Sequence, residues 1–262
     1  MAADLRLRQI CLVASQLEPV VGDLAAILGL AVCYRDPNVA RYGLANALMP
    51  VDTVLLEVVA PTMEGTAAGR FLAKTQGQGG YMAIFSCDDP AARRAHAERI
   101  GVRVAHVIDR PPYLGVQLHP RDCRAAFIEF NHTAGSDNLR GPYPPAGPHW
   151  HTFIRTDVTR RLVEVVLQSP EPADLARHWS AILDAPMGTG PGGAPTIALK
   201  DIALRFTAGP ADALSGLVFE AADGDTIARS AQARGYPVAA DGIAIGGVRV
   251  TWRTVGARAS SP

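Results

Sequence analysis

The stretch Thr53-Val54-Leu55-Leu56-Glu57-Val58-Val59-Ala60-Pro61 decides how this chain is read. It is apolar, β-branched, short and closed by a proline, the signature of a buried strand. One residue does not belong to that pattern. Glu57 stands at its centre, where an unpaired carboxylate is costly to desolvate. A second stretch, Ala125-Ala126-Phe127-Ile128-Glu129-Phe130, repeats the device: an apolar strand with one central glutamate.

The chain around these strands has 262 residues, 48% of them hydrophobic and 19% charged. That suffices for one large domain or two ordinary ones, with a globular composition. A net charge of zero gives no general attraction to nucleic acid or to acidic membranes. The basic residues are nearly all arginine; with the alanine and glycine content this is the usage expected of a GC-rich bacterial genome. Cys11, Cys33, Cys87 and Cys123 match no zinc spacing and read as buried free thiols of a reducing cytoplasm. The first eight residues carry no apolar signal core. No apolar run reaches the roughly 18 residues of a membrane span. The expectation is a cytoplasmic protein.

A repeating unit runs through the sequence. Residues 9–16 read as a strand. Leu17, Val20, Val21, Leu24, Ile27 and Leu28 then recur on one helical face, with Gly29 at its end. Three strands follow near 31–34, 43–49 and 53–60. This βαβββ order returns with a strand at 81–87, a helix opened by Asp89-Pro90 and stopped by Gly101, and strands near 102–108, 115–119 and 125–130. A looser copy has a strand at 161–168, a helix reaching Leu183, and strands near 196–199 and 202–207. A fourth has a strand at 214–220, a helix over 224–234, and strands near 238–240, 242–245 and 248–253. Residues 133–159 open as a Gly/Pro-rich linker, and Gln76 to Gly80 as a flexible connection. The linker carries Tyr143, His149 and Trp150, so it is expected to pack across a surface.

Tandem βαβββ units with a glutamate in the fourth strand resemble the vicinal oxygen chelate superfamily. Glyoxalase I, methylmalonyl-CoA epimerase, extradiol dioxygenases and bleomycin-resistance proteins belong to it. The resemblance covers 7–132 and, more loosely, 160–255. It implies an α+β fold: tandem βαβββ units paired into two glyoxalase-like, cup-shaped domains, the second degenerate. It also implies a divalent metal in a cup, held by one residue from the first strand and one from the fourth strand of each unit. Carried over, these positions fall on Gln9, Glu57 and Glu129, with Met82 where a histidine is expected. A thioether is a poor partner for a hard ion. The oxygen-only set suits Mg²⁺ or Mn²⁺ better than Zn²⁺, and Ni²⁺ is a further ion the resemblance admits. In the second domain the positions fall near Val163, Arg205, Gly216 and Thr251, which make no metal site.

The activity so implied is that of a lyase or isomerase acting on a carbonyl or enolisable compound. The metal would stabilise an enolate and Glu129 would act as general base. A homodimer is the arrangement common among such proteins. The rival, to which Met82 points, is a metal-free binding protein of the drug-sequestering kind. An extradiol dioxygenase would need histidines at the ligand positions.

Strand alternation gives a reading independent of the resemblance. Over residues 115–119, Val116 and Leu118 face the helices, which turns Gln117 and His119 toward the cup. Glu129 shares its face with Phe127 and Asn131. Gln117, Phe127 and Met82 are then candidate substrate contacts, and His119 a candidate for orienting a substrate oxygen. Two nearby carboxylates repel unless they share a cation or a proton. The outcomes are a bound metal, a glutamate of raised pKa, or no proximity.

Overall fold

The computed structural model describes residues 5–254. The first four residues of the N-terminal segment and the expected domain limit at 255 lie outside them. The first unit is β1 (Arg6–Val13), α1 (Leu17–Leu28), β2 (Leu44–Val51) and β3 (Val54–Pro61); α2 (Ala67–Thr75) leads out of it. The second is β4 (Gly79–Ser86), α3 (Pro90–Arg99), β5 (Val104–Arg110), β6 (Tyr113–Leu118), α4 (Pro120–Cys123) and β7 (Phe127–Thr133). The third is β8 (Thr159–Ser169), α5 (Pro172–Leu183), β9 (Met187–Thr189), β10 (Pro195–Ala198) and β11 (Ala203–Ala208). The fourth is β12 (Ala213–Ala221), α6 (Gly224–Ala233), β13 (Ile243–Ile245) and β14 (Val248–Thr254).

One rule organises all four units. The first strand of each pairs in parallel with its last: β1 with β3, β4 with β7, β8 with β11 and β12 with β14. Parallel neighbours need a crossover, which the helix of each unit supplies. Units then join through their first strands, β1 antiparallel to β4 and β8 antiparallel to β12. The halves meet where Leu214 of β12 pairs with Gly80 of β4. A Cβ on Gly80 would stand 2.5 Å from the Leu214 carbonyl oxygen, so only glycine lets the strands come this close.

The helical face expected over α1 is the buried one: Val20, Val21, Leu24, Ile27 and Leu28 point inward, and Gly29 ends the helix at φ 66°. One apolar core runs through both halves. From α5, Trp179 crosses to α4, its indole nitrogen donating to the Cys123 carbonyl at 3.0 Å. Arg93 of α3 reaches the Leu183 carbonyl at 2.7 Å.

Three expectations need correction. The strand near 31–34 is a single bridge, Tyr34 to Leu48, because Asp36 caps a 3₁₀ turn over Pro37–Tyr42 that takes the chain off the sheet. The strand near 238–240 is likewise one bridge, Ala239 to Gly242. The connection before β4 is not a loose loop. Thr66 caps α2, Gln76 closes it in the left-handed conformation, and Gly79 and Gly80 already belong to β4.

Candidate functional site

The four central strands run in the order β3, β1, β4, β7, with β2 and β6 outside them. Their concave face carries the site. Along β1 the alternation breaks once. The register steps from Leu7–Phe85 to Gln9–Ile84, leaving Arg8 as a bulge. The extra residue lets Arg8 and Gln9 both turn to the concave side, where strict alternation would separate them.

On β3, Glu57 lies in register with Cys11 and is 7% exposed. Gln9 Nε2 donates to its Oε2 at 2.7 Å and Asn46 Nδ2, from β2, to its Oε1 at 2.6 Å. On β7, Glu129 is 2% exposed. Gln117 Nε2 donates to its Oε2 at 2.8 Å, and the Tyr113 hydroxyl donates to its Oε1. Gly115 makes room for this pair: a Cβ there would stand 2.9 Å from Glu129 Oε1 and 2.9 Å from the Tyr113 ring. Gly115→Ala is therefore expected to displace Tyr113 and Glu129. A shift of the tyrosine ultraviolet signature with little change in global fold checks it.

The linker supplies the remaining wall. Tyr143 is buried in the cup and donates from its hydroxyl to Gln9 Oε1 at 2.9 Å. Arg8 holds this strap in place. Its guanidinium lies 4.7 Å from the Tyr143 ring centre and 4.8 Å from that of Trp150, and donates to the carbonyls of Thr53 and Leu139. Cation–π contacts of desolvated arginine are among the stronger ones, about 2 kcal/mol. Gln9, Asn46, Glu57, Tyr113, Gln117, Glu129 and Tyr143 line a cavity of about 220 Å³, with Arg8 and Trp150 behind Tyr143 and outside the lining.

Burial pushes both carboxyl groups above the usual glutamate range, and the hydrogen-bond donors offset part of that rise. The charge on Glu57 raises Glu129 further. Burial first, then Glu57, pushes the Cys11 thiol well up, so Cys11 is no nucleophile. Burial and then Glu129 raise the Tyr113 and Tyr143 phenols. A carboxyl raised on folding stabilises the protein most below its unfolded pKa, and that contribution is lost as pH rises through its folded pKa. Glu57→Gln removes this pH-dependent loss. Its stability relative to the unsubstituted protein is expected to improve as pH rises above the ordinary glutamate range, measured by urea denaturation.

Gln9, Met82, Gln117, Glu57 and Glu129 line this one cavity. Phe127 does not; it packs against Tyr81 at 4.7 Å beside it. His119 is also elsewhere. Pro120 begins α4 and β6 ends at Leu118, so alternation stops one residue short of His119. His119 caps α4 instead, its Nδ1 accepting from the Arg121 backbone at 3.3 Å. Asn46, Tyr113 and Tyr143 line the cavity and were not expected in the site; neither was Arg8, which packs behind Tyr143.

In the second half, Arg205 pairs in register with Val166 as Glu57 does with Cys11, which puts Glu164, not Val163, at the position of Gln9. Glu164 and Arg205 form an ion pair at 2.8 Å, with Arg253 3.7 Å away. A buried carboxylate closed off by arginine is a structural pair.

The metal expected from Gln9, Glu57 and Glu129 does not fit this arrangement. All four carboxylate oxygens accept hydrogen bonds from neutral donors. Tyr143 claims the Gln9 carbonyl, so Gln9 offers Glu57 an N–H. Met82 contributes a thioether. Among the described residues, no three His, Cys, Asp or Glu side chains are grouped to hold an ion.

No protein-family model matches the sequence, and no curated protein matches it. Solved structures do. A hypothetical protein from Staphylococcus aureus matches over 96% of this chain and 99% of its own, at 15% identity and a TM-score of 0.68. A Mn(II)-bound glyoxalase from Novosphingobium aromaticivorans matches over 97% of this chain and 83% of its own, at 14% identity and a TM-score of 0.64. A methylmalonyl-CoA epimerase from Streptomyces coelicolor matches 50% of this chain and 95% of its own, at 27% identity and a TM-score of 0.44, a partial likeness on which nothing below rests. Four units, two of them full βαβββ and two with one strand reduced to a bridge, paired through their first strands and matched along nearly the whole chain by a glyoxalase, give this protein a two-domain, glyoxalase-like fold.

Proposed function

We propose that the first-half cup binds a small carbonyl compound and moves a proton on it without a metal, as an isomerase or lyase. One observation carries this reading: two buried glutamates of raised pKa, each held by neutral donors, face a single small cavity. The two carboxyls repel each other when both are charged, so they share one proton; in the reactive form that proton sits on Glu57, and Glu129, ionised, takes the proton from the carbon beside the carbonyl. Glu57, protonated, donates to the carbonyl oxygen, so the intermediate is an enol and charge balances. Return of a proton to carbon gives an isomer; loss of a β-substituent makes the reaction a lyase step. Gln9 and Asn46 fix one carboxyl, and Tyr113 and Gln117 the other. The cavity is smaller than those that hold drug-sized ligands. Tyr42, Tyr81, Tyr113 and Tyr143 also line the cavity, and the two buried carboxyls among them are what set it apart from the purely aromatic wall of a drug-sequestering cup.

Elemental analysis of protein purified without an affinity tag is expected to show divalent metal far below one equivalent. Deuterium exchange into enolisable carbonyl compounds is expected to persist in a chelator. Near-stoichiometric metal that disappears in both Glu57→Gln and Glu129→Gln would overturn the metal-free mechanism and restore Gln9, Glu57 and Glu129 as ligands. The partner in this reading is a small molecule. Among the described residues no helix is long and apolar enough to cross a membrane. A cytoplasmic homodimer is the setting we propose.

A further inference from the structure

Arg110 stands at the edge of the same cavity. It lines the space, is exposed, and makes no hydrogen bond or ion pair with any described residue. It closes β5 directly opposite Tyr113, the first residue of β6. Residues opposed across antiparallel strands project from the same face. Tyr113 in turn donates to Glu129. The guanidinium is thus placed one cross-strand neighbour from the donor that holds the proposed base.

The other charges at this edge are already engaged. Asp36 Oδ1 accepts from the Asn38 backbone at 2.9 Å and from its side chain at 2.7 Å. Arg41 binds Asn38 Oδ1 at 2.9 Å and lies 5.9 Å from the Tyr42 ring centre. Arg110 alone of these keeps its donor fork open. A guanidinium fork matches the two oxygens of a carboxylate. The carboxyls of Glu57 and Glu129 repel an anion that enters charge-first, and Arg110 attracts it at the rim. Together they select one orientation: anionic end outward, carbonyl end inward.

Resting on the function proposed above, we infer that the substrate is a small oxo-acid whose carboxylate pairs with Arg110 while its carbonyl oxygen meets Glu57 and the adjacent enolisable carbon meets Glu129. The cavity size fits a short-chain acid better than a large conjugate.

The test is proton–deuterium exchange followed by nuclear magnetic resonance. Its probes are three- to five-carbon oxo-acids, such as 2-oxobutanoate, and their uncharged ketone counterparts, such as 2-butanone. The oxo-acids are expected to exchange with the lower KM. Arg110→Gln is expected to raise that KM about tenfold or more, with little effect on the ketones, and Arg110→Lys to restore part of it. Because Arg110 is exposed, neither variant should disturb folding. Equal exchange of acids and ketones, unchanged in Arg110→Gln, would overturn this inference and leave the proton-transfer function standing. No exchange with any probe would overturn both.

Discussion

Glu129→Gln is expected to lower proton exchange by about 10²–10⁴-fold, the range by which a positioned general base accelerates proton transfer. Glutamine keeps the shape and removes the basic oxygen. Tyr113 retains an oxygen to donate to, and Gln117 can turn its amide to accept. The loss should therefore fall on turnover while the fold is kept, which circular dichroism verifies. The pH profile gives the sharper reading. Burial raises both carboxyls, and the reaction needs Glu129 ionised with Glu57 protonated, so exchange should rise with pH as Glu129 ionises and fall again as Glu57 loses its proton. A Glu129→Gln variant with full activity would remove Glu129 from the chemistry.

Trp179→Ala is expected to cost about 3–5 kcal/mol of stability, the usual range for a buried tryptophan. Trp179 is fully buried in α5, packs edge-on to Phe206 at 6.3 Å, and bonds to the Cys123 carbonyl of α4. Truncation leaves a cavity and an unpaired carbonyl. The same contact joins the two halves, aided by His178 on the Asp122 carbonyl at 2.6 Å and by Arg124 on Asp174 and Asp212. Denaturant unfolding of the variant should therefore show both halves weakened together. Loss confined to the second half would assign Trp179 to local packing only.

The sequence exposed the parts of this fold that follow from periodicity. A carboxylate in the middle of an apolar strand is conspicuous, and Glu57 and Glu129 both face the cavity because period-two alternation puts them on the non-helical face. Departures from regularity were the hidden part. A one-residue bulge turns Arg8 to the Tyr143 and Trp150 rings of the strap, and no composition signal marks it. Pro120 ends β6 early and removes His119. The partners of the glutamates were hidden for another reason. Asn46 and Tyr113 belong to neighbouring strands, and pairing register is not written in either strand alone. Tyr143 and Trp150 were noticed as aromatics in a polar linker, which foretold packing without naming its target.

The strap over the first cup also bears on how separable the halves are. Composition would cut the chain at 132, yet Tyr143 and Trp150 beyond that point complete the cup and shield Arg8. During synthesis, the first half cannot finish when its last strand leaves the ribosome; it waits for the segment that leads into the next half. A gene fragment ending at the apparent boundary would encode an open cup with a stranded guanidinium. In an ancestry built by duplication, the joint between the copies has become part of the first cup, and the pair can no longer be inherited as two independent modules.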